Sequence, residues 1–145
     1  RRQRQMCIRD NNNVLVVGDM TAQAALDRGV RDAVSFGPVL VVNGEAVEVN
    51  GSGSGLNPRT AIGQRADGAI LLLVTDGRGA SGHLGATASD LISVMQEYGA
   101  VNAANLDGGS SSTMVYNGGY EMTSVTFYYQ NSSWKLPTAF VVMPK

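Results

Sequence analysis

Three turn signals constrain this chain more than any other feature: Asn43-Gly44, Asp67-Gly68 and Asn117-Gly118. Each stands between two apolar-rich runs: "VLVV" and "EAVEV", "RTAIGQR" and "AILLLVTDGR", "STMVY" and "GYEM". Such pairs tolerate the positive φ of tight hairpin turns, so each predicts two antiparallel strands. Further strands are expected at Val14 to Val17, in "VTFYY" and in "AFVVM". The run Ala69 to Val74 reads as a buried strand. A fold dominated by hairpins follows.

Two segments break that pattern. In "TAQAALDRG", Thr21 is placed to cap a short helix whose Ala24, Ala25 and Leu26 meet the core, with Gly29 as its stop. In "GATASDLISVMQEYGA", Thr87 and Asp90 form a capping-box pattern with Asp replacing the usual Glu. Ala88, Leu91, Ile92, Met95 and Tyr98 then recur at helical spacing, and Gly99 ends the run. The expectation is an α+β domain: a mostly antiparallel or mixed sheet built from hairpins, with one or two helices packed on it.

The 145 residues suffice for one domain with one core, so residues 1–145 are read as a single unit. At 43% hydrophobic residues the chain can bury a core, which argues against wholesale disorder. A net charge of −1 gives no footprint for nucleic acid. No apolar run approaches the length of a membrane span. The lone Cys7 excludes an internal disulfide and a Cys-based zinc site.

The 18 glycines cluster beside polar groups at the predicted strand ends. "NPRTAIG" brings Arg59 and Thr60 to the start of one strand. "TDGRGASGHLGAT" carries Asp76, Gly77, Arg78, His83 and Thr87 between the strongest strand and the strongest helix. "NLDGGSSST" carries Asp107 before four hydroxyl residues, Ser110 to Thr113. Arginine forks suit phosphate and carboxylate oxygens, and the backbone N–H groups of Gly77, Gly79, Gly108 and Gly109 can add an anion nest. Asp76 and Asp107 supply the two carboxylates of glycoside hydrolysis, or two oxygen ligands for a hard cation. The serine run does not match a G-x-S-x-G nucleophile elbow. Residue chemistry alone thus gives a hydrolase, or a binder, for an anionic and hydroxyl-rich ligand.

Taken together, "SFGPVLVVNG", "RTAIGQRADGAILLLVTDGR", "GATASDLISVMQEYGA" and "NAANLDGGSSSTMVYNG" resemble the phosphodiester glycosidase family. The resemblance places that family's Arg-Thr pair on Arg59 and Thr60 and its Asp-Gly-Arg on Asp76, Gly77 and Arg78. The Asn-Leu-Asp-Gly-Gly signature falls on Asn105, Leu106, Asp107, Gly108 and Gly109. It implies hydrolysis of a sugar-1-phosphodiester, or a related glycosidic link, in a cell-surface or secreted glycopolymer such as an exopolysaccharide. Arg59 and Arg78 would hold the phosphate, and Asp76 and Asp107 would share acid/base or oxocarbenium-stabilising work. Thr60, Gly77, His83, Thr87, Asn105, Gly108, Gly109, Ser110 and Ser111 would contact substrate.

The resemblance further implies an extracellular or cell-envelope protein acting on a phosphorylated glycan or wall polymer. No cofactor is required by the sequence; a divalent cation such as calcium remains open. Family domains carry an Asn- and Gly-rich motif upstream of the region matched here, so an upstream fragment of the same precursor is an expected partner. Two rivals stand beside the enzyme: a non-catalytic carbohydrate-binding module of the same fold and a metal-dependent phosphohydrolase. The second is disfavoured by the single histidine and scattered acids.

Overall fold

The computed structural model describes residues 4–10, 12–50, 55–79, 82–122 and 135–144. The elements run β1 (Arg4–Arg9), β2 (Leu15–Met20), α1 (Ala22–Asp27), β3 (Asp32–Val34), β4 (Val39–Val42), β5 (Glu45–Ala46), β6 (Arg59–Arg65) and β7 (Ile70–Thr75). Then follow α2 (Ala88–Glu97), β8 (Ala100–Asn105), a 3-10 turn (Gly109–Ser111), β9 (Val115–Tyr116) and β10 (Gly119–Tyr120). The fold is α+β, as the hairpin signals predict. All three turns form, and Asn43 and Asn117 both adopt positive φ.

The principal sheet has the order β5-β4-β8-β6-β7, antiparallel throughout its pairs. Strand alternation sends Ala61 and Ala103 to one face and Ile62 and Ala104 to the other. The first face carries Leu40 and Val41 and receives Ala88, Leu91, Ile92 and Met95 of α2. Small residues let the helix approach closely: a Cβ on Gly63 would lie 2.9 Å from Met95 Sδ. The opposite face buries Ile62, Ala104 and Leu106 with Leu15, against a second sheet of order β2-β1-β3.

Polar side chains tie these layers together. Buried Gln64 accepts from Leu15 N (2.7 Å) and donates to Asn13 O (2.8 Å). Asn102 donates to Leu15 O (3.0 Å) and accepts from Asn43 N (3.0 Å). The capping box of α2 forms as expected. Thr87 Oγ1 accepts from Asp90 N, while the Asp90 carboxylate accepts from Thr87 N (2.7 Å) and Thr87 Oγ1 (2.8 Å). The bonds from the backbone and then the hydroxyl of Thr87 lower the Asp90 pKa from its ordinary value.

Several expectations fail, for physical reasons. Ala69–Val74 is not a buried strand: among the described residues β7 ends the sheet, and Ile70 and Leu72 are exposed on it. Tyr98 is the C-cap of α2 and faces solvent, because the helix ends one residue before it would complete the stripe. Of the apolar residues expected inward from α1, only Ala25 is buried. "AFVVM" is not a strand; no partner pairs with it among the described residues. "VTFYY" lies outside the described residues.

Candidate functional site

The carboxyl ends of β7 and β8 flank the amino end of β6. Arg59 pairs with Thr75, and Ala61 with Asn105, so Asp76 and Asp107 leave the sheet on either side of Arg59-Thr60. Leu106 N donates to Thr60 O (2.8 Å) and extends this pairing just beyond β8. Two strand spacings of about 4.8 Å separate the backbones carrying the two carboxylates, roughly 10 Å in all. Asp76 is half-buried and Asp107 exposed at these two strand ends.

The Asn57-Pro58 backbone lies between the two loops, and missing side chains let it fit. A Cβ on Gly77 would meet Pro58 N at 2.7 Å, and one on Gly108 would meet Pro58 O at 2.8 Å. Pro58 O also accepts from Gly109 N (2.7 Å). Gly77 and Gly108 are therefore close-packing positions, and the expected anion nest loses Gly79 N, which donates to His83 O, and Gly109 N, which donates to Pro58 O.

The serine run closes the site. Ser111 N donates to Gly108 O (3.0 Å) and Ser112 N to Gly109 O (3.2 Å), forming the 3-10 turn. With three residues per turn, the Ser110 and Ser111 side chains step by about 120°, and Ser112 follows as the extended C-cap. Arg78 Nη1 donates to Ser110 Oγ (2.8 Å), Ser111 Oγ donates to Asp107 Oδ2 (2.7 Å), and Thr60 Oγ1 donates to Ser112 Oγ (3.1 Å). Residues predicted from three separate motifs thus meet through one hydroxyl triplet.

Arg78 reaches this position from an unusual backbone conformation. Its φ is +59°, a region that favours glycine and carries a cost for other residues. The guanidinium lies against Gly109, where a Cβ would approach Arg78 Nη2 to 2.6 Å. Arg59 is placed differently. It is only 7% exposed; its Nε donates to Ala86 O (3.0 Å) and its Nη2 to Gly55 O (2.6 Å). Burial lowers its pKa from the ordinary value. Arg59 joins the 55–58 segment to Ala86, which lies opposite Asn57 in an isolated bridge.

The remaining predicted residues divide. The Thr87 side chain caps α2, and His83 is exposed, its carbonyl accepting from Gly79 N (2.8 Å). Asn105 is 2% exposed; its Nδ2 donates to Gly37 O (2.7 Å) and its N to Pro38 O (3.0 Å). Its Oδ1 has no hydrogen-bond partner among the described residues. Sequence reasoning missed Ser112, Pro58 and the Gly37-Pro38 segment with its cis peptide bond. Only the Gly-Pro pair itself signalled that segment. Among the described residues, no group of three or more His, Cys, Asp or Glu gathers to hold a metal, and no helix is long and apolar enough to cross a membrane.

A family model described as phosphodiester glycosidase matches residues 1–143. A prophage-derived uncharacterized protein of Bacillus subtilis strain 168, YomE, is 34% identical over 117 residues, covering 77% of this chain and 18% of that protein. The catalytic domain of zebrafish N-acetylglucosamine-1-phosphodiester alpha-N-acetylglucosaminidase, auto-inhibited by its pro-peptide, shares the fold with a TM-score of 0.70 at 22% identity. That match covers 94% of this chain and 50% of the zebrafish one. A chain from Burkholderia pseudomallei K96243, provisionally named an exported protein, matches with a TM-score of 0.60 at 30% identity, over 81% of this chain and 26% of its own. The chain spans half or less of the length of these relatives.

Proposed function

Since the chain belongs to the phosphodiester glycosidase family, we propose that it contributes the catalytic site for hydrolysing a sugar-1-phosphodiester, or a related glycosidic link, in a cell-surface or secreted glycopolymer. One observation supports this most: the serine triplet joins Arg78, Asp107 and Thr60 around the amino end of β6. In this reading Arg78 holds the phosphate oxygens as a charged fork, with Gly109 leaving room for its guanidinium. Ser111 fixes Asp107 Oδ2 and leaves Oδ1 toward the ligand. Asp76 and Asp107 share protonation of the leaving group and activation of water, with roughly 10 Å between their backbones for the sugar phosphate. Arg59 acts by holding the 55–58 segment against Ala86. Export is supported by the name of the Burkholderia relative.

The test is release of free sugar from a panel of sugar-1-phosphodiesters, with and without chelator. Turnover that is lost in Arg78→Ala and Asp107→Asn, both still folded by circular dichroism, supports the proposal. Full turnover in both variants refutes the assignment. Binding of the polymer without release of sugar from any diester favours a non-catalytic module, and turnover that vanishes with chelator alone favours a metal-dependent reaction.

A further inference from the structure

The buried polar side chains among the described residues are those of Arg59, Gln64, Asn105 and Ser112. Arg59, Gln64 and Ser112 meet hydrogen-bond partners from other elements. Asn105 differs. Its Nδ2 donates to Gly37 O (2.7 Å), but its Oδ1 has no partner among the described residues. Strand alternation places it with Ala61 and Ala103 on the α2 face of the sheet, in apolar surroundings. A buried acceptor without a hydrogen bond costs its full desolvation, which an apolar side chain of the same size avoids. Stability therefore does not account for asparagine at this position. What the residue supplies is the donor.

That donor acts two residues before Asp107. β8 ends at Asn105, whose backbone N donates to Pro38 O (3.0 Å) while its side chain takes Gly37 O. On the opposite flank Leu106 N donates to Thr60 O (2.8 Å). The chain is thus held from both sides just before the Asp107–Ser111 loop leaves the sheet. Removing the side-chain bond frees Gly37 O and loosens one of those sides. At 2% exposure Asn105 has almost no surface to offer a ligand, so it acts through the backbone that it holds.

We infer that Asn105 is a positioning residue for Asp107: its side-chain bond to Gly37 O fixes the end of β8, and with it the carboxylate two residues on. The kinetic consequence rests on the function proposed above, and the effect on the loop does not. A reacting group displaced by about 1 Å loses roughly a hundredfold in rate, so a partial loosening is enough to be read in kcat.

The test compares wild type with Asn105→Leu, which keeps the side-chain size and removes both the donor and the unpaired oxygen. Its Tm should stay within about 4 °C of wild type, because the lost bond and the removed acceptor offset each other. Well below Tm, kcat on a sugar-1-phosphodiester that the protein cleaves should fall at least about tenfold, with KM within about twofold. Hydrogen–deuterium exchange reads the loop without turnover. The amides of Leu106, Gly109, Ser111 and Ser112, all hydrogen-bonded here, should exchange at least about tenfold faster, with β6 and β7 unchanged. Asn105→Ala, which adds no bulk, should give the same changes and serves if the leucine variant does not fold. If wild type cleaves no diester but loop exchange rises in the variants, the proposed activity falls and the positioning stands. Unchanged kcat in an active protein overturns the inference, whether Tm falls, as for a purely structural residue, or KM rises, as for a direct substrate contact. Unchanged loop exchange overturns it as well.

Discussion

Gly108→Ala tests the packing that brings the two loops together. The new Cβ would lie 2.8 Å from Pro58 O, a backbone atom that cannot rotate away. Ordinary contact begins near 3.4 Å, so loop and 57–58 backbone must part by about 0.6 Å. The same carbonyl accepts from Gly109 N at 2.7 Å, so the displacement also weakens that bond. Overpacking costs about 1–3 kcal/mol, and the weakened bond about 1 kcal/mol more. An unfolding entropy of about 2.1 cal/mol/K per residue gives ~0.3 kcal/mol/K for 145 residues. Differential scanning calorimetry should therefore record a Tm lower by roughly 7–13 °C. Asp107 and Ser110 move with the loop, so kcat should fall at least about tenfold. Gly119→Ala is the control: its Cβ meets nothing nearer than Tyr116 O at 3.8 Å, and its Tm should not fall. A Gly108→Ala protein that melts with wild type and keeps its kcat would refute the packing argument.

Arg78→Gly should separate stability from activity. Glycine relieves a left-handed backbone cost of ~1–2 kcal/mol, offset by its greater freedom when unfolded and by the lost bond to Ser110. Its Tm should stay within about 3 °C of wild type, while kcat/KM falls about 100-fold or more; a large loss of Tm would show that Arg78 is structural. Asp90→Ala removes the reciprocal half of the α2 cap and should cost about 1 kcal/mol at neutral pH. The folded-state pKa of Asp90 is depressed, so its contribution is present above the unfolded value near 3.9 and is lost as pH falls through the folded value. Denaturant titrations should show the wild-type advantage intact above about pH 5 and closing below about pH 4; an advantage independent of pH down to pH 2 would overturn the linkage.

How far the chain was legible depends on the range over which each feature is decided. Turns and caps are settled within four residues. Asn43-Gly44, Asp67-Gly68, Asn117-Gly118 and the Thr87–Asp90 box therefore stand where the sequence put them. Burial is settled by what arrives from elsewhere. The run at 69–74 has the composition of a central strand, but among the described residues β7 is the edge of the sheet, and Ile70 and Leu72 stand in the open. Likewise nothing local distinguishes Arg59 from Arg78. One lies under carbonyls contributed by residues 55 and 86; the other is turned outward by a backbone conformation its own side chain disfavours.

The hydroxyl run shows this limit most clearly. As composition, Ser110 to Thr113 is a low-complexity stretch, and an extended strand would turn its alternate hydroxyls to opposite faces. Either reading would leave at most some of the serines at a site. The 3-10 turn changes the geometry: Ser110 and Ser111 within it, and Ser112 at its C-cap, present adjacent hydroxyls to Arg78, Asp107 and Thr60, which come from three different strand ends. The turn is in turn held where Gly109 N donates to Pro58 O, a close approach that requires glycine at 108. The convergence of the site therefore depends on a backbone contact between residues fifty positions apart, which no local pattern in the sequence encodes.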